Sequence, residues 1–167
     1  MTSGTAATLE LLSRDAHMAI GANGRLFAAL TFQPPSGVSM RRFCEVLEER
    51  RGVVQEPLLG VFIPSAPRPR LDAEGREAIR ALWQDIAKQM DVCAIWIRRD
   101  SFVGALLRSL VTSLIMVQPK RIITGVVSDA TSAVDLLAKS DTSLADPTRS
   151  NWAEALEQFA TEYAPTS

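Results

Sequence analysis

Asp100 and Ser101 are the residues whose types and spacing offer the clearest chemistry in this chain of 167 residues. They follow an apolar run at 92–97 and an Arg-Arg pair, and they open a segment with helical periodicity. The first amide N–H groups of a helix have no partner within it, so an Asp or Ser there caps the helix and an anion is favoured nearby. The junction therefore predicts a helix start with Asp100 or Ser101 as its N-cap.

The segment 101–117 has two different helical faces. At about 100° per residue, the large apolar residues fall on one side, which we expect to pack on the sheet. The opposite side carries small or hydroxyl-bearing residues and one arginine: Ser101, Ala105, Arg108 and Thr112, with Ser109 beside them. A solvent-exposed helix face normally carries more Lys and Glu. This composition therefore predicts a contact surface for a protein partner or a second subunit.

Other catalytic and ligand-binding patterns are weak. His17 is the only histidine, so zinc sites built from several histidines and two-histidine mechanisms cannot form within one chain. A Ser-His-Asp site would need His17, yet no serine lies in a nucleophile-elbow sequence. The stretch 21–24 lacks the dinucleotide fingerprint, and no Gly-Lys-Ser/Thr phosphate-binding sequence occurs. We therefore predict no catalytic residue, no metal and no cofactor.

The composition is that of a globular protein with one core. Hydrophobic residues make up 47% and charged residues 22% of the chain, whose length suits a single domain. A net charge of -1 and a pI of about 5.9 argue against a nucleic-acid binder that depends on a basic field. Cys44 and Cys93 are predicted to be small core residues of a reducing compartment. Without a signal-peptide pattern or an apolar run of about 18 residues, we predict a cytoplasmic protein with no integral membrane segment.

Turn residues and apolar spacing predict the first elements. Residues 1–14, rich in Thr, Ser and Ala, are treated as an N-terminal appendage that caps the domain or stays mobile. An Asn-Gly pair at 23–24 predicts an opening β-hairpin, which the prolines at 34–35 end because they cannot donate to a sheet ladder. The next apolar residues recur with helical spacing and predict a helix with Ser39 as its N-cap and Gly52 just past its end.

Strands and helices then alternate. Apolar runs predict strands at 58–63, 92–97 and 121–127. Helical spacing joins Ile79, Leu82, Trp83, Ile86 and Met90 in a helix with Asp72 as a candidate cap, and Thr131 or Ser132 is expected to cap a later helix. This alternation favours a largely parallel sheet with helices packed on it. We predict a single α/β domain at 15–139, with an opening β-hairpin followed by alternating strands and helices on a mixed, largely parallel sheet.

The C-terminal part, 140–167, is predicted to be a linker and one extra helix. Residues 140–150 are rich in Ser, Thr, Asp and Pro, and Trp152, Ala155, Leu156 and Phe159 follow with helical spacing. These apolar residues are too few for a separate core, so the helix either docks on the domain or binds a partner. We favour docking.

The element order and the junction resemble the STAS family of bacterial anti-sigma factor antagonists, whose fold is shared by small Sec14-like lipid-binding relatives. Family members begin a helix after a central strand with an Asp-Ser-Ser-Gly-Leu-Gly-like turn, where this chain has Asp100-Ser101-Phe102-Val103-Gly104-Ala105. The resemblance covers the element order of about residues 15 to 139. It implies a STAS-like domain in which a partner kinase modifies Ser101 and the added charge switches partner binding.

Three functions follow as hypotheses. The first is a non-enzymatic regulatory module that binds a protein partner or itself through the helix starting at Ser101. The second is a small-ligand or lipid-binding protein of STAS or Sec14-like type, with a pocket enclosed by apolar surfaces. The third is an enzyme of unrecognised type that uses Asp or Arg groups. The weak catalytic patterns favour the first.

Overall fold

The protein was analysed as a computed structural model that describes residues 7–33, 36–65, 81, 83–98 and 122–164. The junction and contact residues predicted from the sequence lie outside these ranges: Asp100, Ser101, Ala105, Arg108, Ser109 and Thr112. The helix predicted to start near Asp72 lies within them only from residue 83 onward, apart from residue 81.

A six-stranded mixed sheet forms the centre of the fold. Its strands are β1 (Glu10–Arg14), β2 (Met18–Asn23), β3 (Leu26–Thr31), β4 (Leu58–Pro64), β5 (Met90–Trp96) and β6 (Ile123–Val127). They lie in chain order across the sheet. The β1–β2 and β2–β3 pairs are antiparallel, whereas the three later pairs are parallel. The predicted α/β class, with a hairpin opening and a largely parallel sheet, is confirmed.

Helices cover both faces of this sheet. They are α1 (Gly37–Val54), α2 (helical residues 83–89), α3 (Ala130–Leu137) and the C-terminal α4 (Arg149–Glu162), with a 3-10 turn at Thr142–Leu144 before α4. One face packs on α1 and α2 and buries Met18, Ile20, Phe27, Phe43, Ile86 and Ile95. The other packs on α3 and α4 and buries Leu30, Val61, Trp96, Val134, Leu156 and Phe159. The C-terminal helix therefore docks on the domain, as favoured from its apolar stripe.

The N-terminal segment contributes a strand, which differs from its treatment as an appendage. Residues Glu10–Arg14 form the edge strand β1, with a bulge between Leu11 and Ser13 where the pairing with β2 shifts by one residue. Leu9 is buried on the α4 side, and Leu12 packs on the α1 side. Burial of these leucines supplies the free energy that orders the segment. The chain therefore opens with three antiparallel strands.

The β2–β3 hairpin is confirmed, but its turn lies one residue later than the Asn-Gly pair indicates. Asn23 still pairs with Leu26, so the loop is Gly24-Arg25. Gly24 has a φ of 55°, a conformation that glycine adopts without a steric penalty. The Asn23 side chain instead donates to the Thr8 carbonyl at 2.7 Å. Asn23 thus links the hairpin to the chain before β1.

Several helix and strand boundaries differ from their predictions. Ser36 caps α1 in place of Ser39, because the Ser36 hydroxyl accepts the Ser39 amide and Ser39 lies buried in the first turn. Asp129 caps α3 in place of the predicted Thr131 or Ser132. Met90, predicted to be the last helical residue of its stripe, is the first residue of β5.

The end of α1 lies beyond Gly52, which was predicted to follow the helix. The helix continues to Val54 and ends at Gln55, which has a φ of 60° and donates its N–H to the Arg51 carbonyl. A side chain in this left-handed conformation is strained, because its Cβ crowds the following carbonyl.

Replacing Gln55 with glycine is expected to raise the free energy of unfolding by about 0.5 kcal/mol. Glycine relieves the strain in the folded state, and this gain exceeds the cost of the extra conformational entropy that glycine gives the unfolded chain. Chemical denaturation of both proteins measures the change. Gln55→Ala is the matched control, since alanine keeps the Cβ and should give no gain. Equal stability of the glycine and alanine variants would contradict the conclusion that the backbone of Gln55 is strained.

Candidate functional site

The carboxyl ends of β3, β4, β5 and β6 define one edge of the sheet, called here the carboxyl edge. In α/β sheets, binding sites form from the loops that leave this edge. Strand β5 lies between β4 and β6, so the chain leaves the interior of the parallel region after Trp96. Asp100 and Ser101 follow four and five residues later, outside the described ranges. The described residues at the carboxyl edge are therefore the neighbours of the chain where it enters the predicted junction.

Arg98 is the last described residue before this junction. Its guanidinium lies 5.4 Å from the centre of the Trp96 ring and donates from Nη1 to the Ala160 carbonyl of α4 at 3.2 Å. Its Nη2 lies 3.7 Å from a carboxylate oxygen of Glu157. The preceding Ile97 is buried and donates its N–H to the Val127 carbonyl at 3.0 Å. The chain entering the junction is therefore fixed to both β6 and α4.

A second arginine, Arg14 at the end of the edge strand β1, also contacts the end of α4. The Arg14 guanidinium lies 5.8 Å from the centre of the Phe32 ring and 5.7 Å from that of Tyr163. The Tyr163 ring in turn lies 5.0 Å from Phe159. The last carbonyls of a helix carry partial negative charge, so a cation near them is favourable. Sequence reasoning missed both arginine contacts because the partners lie far apart in the chain.

The start of α3 offers no open anion site among the described residues. The Asp129 carboxylate accepts the Ser132 amide at 2.7 Å and the Ser132 hydroxyl at 2.9 Å. These hydrogen bonds lower the pKa of Asp129 below its usual value. The negative charge that a helix start favours is thus supplied by the protein itself. Trp96 supports this corner by donating its Nε1–H to the Ser128 carbonyl at 3.2 Å.

The sole histidine of the sequence follows Asp15, whose carboxylate is held by backbone amides and by a serine hydroxyl of α1. Asp15 Oδ1 accepts the backbone amides of His17 at 2.6 Å and Met18 at 2.8 Å. Burial raises the pKa of Asp15, yet these amides and the Ser39 hydroxyl outweigh it and hold the pKa below its usual value. In a Ser-His-Asp relay the imidazole lies between hydroxyl and carboxylate. Here Ser39 hydrogen-bonds the carboxylate directly, so the cluster fastens the β1–β2 turn to α1.

The cysteines and acidic residues lack the features of reactive or metal-binding groups. Cys93 is buried and Cys44 half-buried, and both are free thiols. Burial raises the pKa of each thiol, and nearby acidic groups add to the effect at Cys44. Among the described residues, no group of three or more His, Cys, Asp or Glu could hold a metal ion. Both thiols therefore stay protonated at neutral pH.

An ion cluster occupies the opposite edge of the sheet. Arg25 in the β2–β3 turn donates from Nε to the Pro57 carbonyl at 2.9 Å and from Nη1 to Asp141 at 3.3 Å. Its side chain also lies 3.4 Å from Glu56 and 3.6 Å from Asp91. Arg25 thus joins the hairpin to the starts of β4 and β5 and to the turn before α4. No signal in the sequence indicated this role.

Comparisons of the chain with protein-family models, curated proteins and solved structures found no match. Within the parts of the chain that the structure describes, no helix is long and apolar enough to cross a membrane.

Proposed function

We propose that this protein is a non-enzymatic, cytoplasmic interaction module of STAS-like type that binds a regulatory protein or a second copy of itself. The contact surface is the segment that begins at Ser101 and includes Ala105, Arg108, Ser109 and Thr112. The observation that carries the proposal is the place of β5 within the parallel sheet. The chain leaves that strand at the carboxyl edge, where α/β folds place their binding loops.

The order of the elements supports the STAS-like part of the proposal. An antiparallel opening is followed by parallel strands β3 to β6 in chain order. Helices α1 and α2 lie between successive strands and share one face of the sheet. This is the element order that the sequence resemblance implies. It supports the fold part of the resemblance, while the regulatory role depends on the residues after Arg98.

Phosphorylation of Ser101 is the proposed means of regulation. A kinase would transfer the γ-phosphoryl group of a nucleoside triphosphate to the Ser101 hydroxyl oxygen. The new O–P bond replaces the bond to the leaving nucleoside diphosphate, and the hydroxyl proton passes to solvent. The modified residue gains about two negative charges, which would repel an acidic partner surface or attract an arginine-bearing one. Partner affinity therefore depends on the phosphorylation state.

Charge substitutions on the proposed surface are expected to reduce association at least about tenfold, since an unpaired charge in an interface disfavours binding. Ala105→Glu and Arg108→Glu are compared with the wild-type protein by gel filtration and by quantitative pull-down from the native cell. Ala16→Glu and Arg41→Glu are matched controls, because both residues are exposed and lie on the β1–β2 turn and on α1.

Unchanged association in both surface variants would exclude this surface. Loss of association in the control variants as well would show that the effect is not specific to the segment after Ser101. A small molecule that co-purifies with the chain in native mass spectrometry, together with unchanged association, would instead favour the ligand-binding hypothesis.

A further inference from the structure

We propose that one exposed flank of α1 is a self-association surface, which pairs antiparallel with the same helix of a second copy of this chain. The surface, called here the α1 stripe, consists of five residues: Val38, Arg42, Glu45, Glu49 and Val53. It goes beyond the proposed function, because its contacts are independent of the segment that begins at Ser101.

The ends of the α1 stripe are the most exposed large apolar side chains among the described residues. Val38 and Val53 are each 74% exposed, whereas Val46 of the same helix is buried. A helix rises about 1.5 Å per residue, so the two exposed valines lie about 22 Å apart. A single exposed valine is ordinary on a protein surface. This pair differs because charged residues of both signs lie between the valines on the same flank.

The flank that carries the α1 stripe is turned away from α2. At about 100° per residue, its five residues fall within an arc of about 80° around the helix. Cys44 lies on the opposite flank, where burial and the nearby charge of Asp85 in α2 raise the pKa of its thiol. The α1 stripe is therefore open to a partner that approaches from the other side.

The charged residues of the α1 stripe can accept partners from a second copy. Arg42 Nη1 lies 3.2 Å from a carboxylate oxygen of Glu45 and 3.6 Å from one of Glu49. The three side chains are 44%, 53% and 68% exposed, so water screens these contacts. Both contacts use the same nitrogen of Arg42, and a guanidinium has further donors on Nε and Nη2 that suit another carboxylate.

A two-fold axis through the middle of α1 would bring complementary residues of two copies together. Val38 and Val53 are centred on the point between residues 45 and 46, and Arg42 and Glu49 are centred on the same point. In an antiparallel pair of helices, Val38 then lies opposite the partner's Val53. Arg42 lies opposite the partner's Glu49. Each contact occurs twice in a two-fold interface, so four valines are covered and two ion pairs form between the copies.

Glu45 limits the affinity of this pairing, because the two copies of its carboxylate meet near the axis. Like charges that face each other disfavour association, and one helix flank is smaller than the interface of a stable dimer. We expect a dissociation constant of the order of 10 µM. Glu45→Gln removes the repulsion and should tighten self-association about threefold.

A charge swap measured by sedimentation equilibrium of the full chain tests the pairing. Arg42→Glu and Glu49→Arg should each weaken self-association at least about tenfold, because like charges then face each other twice. The double variant with both substitutions restores opposite charges across the axis, and its affinity should return to within about threefold of the wild-type value. Val53→Lys should also weaken self-association about tenfold, while a cation remains favourable at this end of the helix.

A disulfide tests the register of the two helices. Val38→Cys and Val53→Cys are combined in a Cys44→Ala background. Within one copy these thiols lie about 22 Å apart, whereas a disulfide needs Cα atoms within about 7 Å. Mild oxidation should therefore join two copies covalently. Each variant with only one of the two new cysteines should give at least about fivefold less covalent dimer.

Matched controls lie outside the α1 stripe. Arg41→Glu reverses the same charge as Arg42→Glu, but Arg41 lies about 80° around the helix from the centre of the stripe. Ala16→Lys introduces the same charge as Val53→Lys on the exposed β1–β2 turn. Both controls should keep the dissociation constant within about twofold of the wild-type value.

A wild-type chain that stays monomeric well above the expected dissociation constant would overturn the proposal, as would a double charge swap that fails to restore self-association. Ala105→Glu separates this surface from the proposed function. If Ala105→Glu abolishes self-association and the stripe variants leave it unchanged, the α1 stripe is rejected and the segment after Ser101 is supported. The opposite result supports the α1 stripe and rejects self-association through that segment.

Discussion

Replacing Phe159 with alanine is expected to lower the free energy of unfolding by about 3–5 kcal/mol, the usual cost of emptying the site of a buried aromatic ring. Phe159 is 2% exposed and belongs to the core on the α4 side. Its ring fits against Gly21 of β2, where a Cβ would lie 2.5 Å from Cε2. The ring therefore reaches the sheet backbone because position 21 has no side chain. Chemical denaturation followed by circular dichroism measures the loss.

A double-mutant cycle with Gly21 tests this contact directly. Gly21→Ala alone should destabilise the protein by about 1–3 kcal/mol, because the added methyl group overlaps the Phe159 ring. In the Phe159→Ala background the same methyl group enters the vacated space and should cost about 1 kcal/mol less, or stabilise the protein. Glu154→Ala on the exposed face of α4 is the control and should change stability by less than about 0.5 kcal/mol. Additive effects of the two substitutions would contradict the packing of α4 on β2.

Replacing Arg25 with methionine is expected to lower the free energy of unfolding by about 2 kcal/mol near neutral pH. The side chains of Arg25 and Asp141 are 19% and 21% exposed, so water cannot fully replace their interaction. Removing the cation leaves the Pro57 carbonyl without this donor and brings three carboxylates together without a compensating charge. Methionine keeps much of the apolar stem, so the loss reports mainly on polar contacts.

Acid should reduce the difference between Arg25→Met and the wild-type protein. Burial raises the pKa of Asp141, but hydrogen bonds from Ser143 and the charge of Arg25 outweigh it, so the pKa lies below its usual value. A carboxyl with a lowered folded-state pKa contributes stability above its unfolded pKa of about 3.9 and loses it as the pH falls through the folded value. The difference should therefore be full at about pH 6 and shrink below about pH 4.

Urea unfolding across this pH range measures both effects. Arg42→Met is the matched control, because Arg42 pairs with Glu45 and Glu49 on the exposed face of α1. Exposed pairs of this kind contribute little, so the change should stay within about 0.5 kcal/mol. A difference for Arg25→Met that is independent of pH would show that its carboxylate partners do not contribute.

Local patterns in the sequence predicted β4, β5 and the C-terminal helix. The apolar runs at 58–63 and 92–97 correspond closely to β4 and β5, because strands buried between two helical layers expose almost no polar face. The C-terminal helix followed from the spacing of Trp152, Leu156 and Phe159. These features depend on residues within one element, which is why sequence periodicity detects them.

The predictions that differ from the structure share one cause, which is contact between distant parts of the chain. Ser36 and Ser39 are both acceptable caps by residue type, and only the path of the chain after β3 decides between them. Gly52 is a common helix terminator, yet Val54 beyond it packs on the core of the α1 side and supports a longer α1. Residues 10–14 have a weak strand pattern, and their pairing with β2 orders them. Tertiary contacts outweigh local preferences of a few tenths of a kcal/mol.

The candidate site shows the same division. The sequence alone determined that a polar Asp100-Ser101 junction follows an apolar strand, because residue types and their spacing are local. Only the tertiary structure decided that this strand lies between two parallel neighbours, that Arg98 contacts α4, and that Arg25 meets three carboxylates. Those contacts join residues up to 116 positions apart. The energies of these contacts arise when folding brings distant charges together, and a local pattern in the sequence cannot predict that.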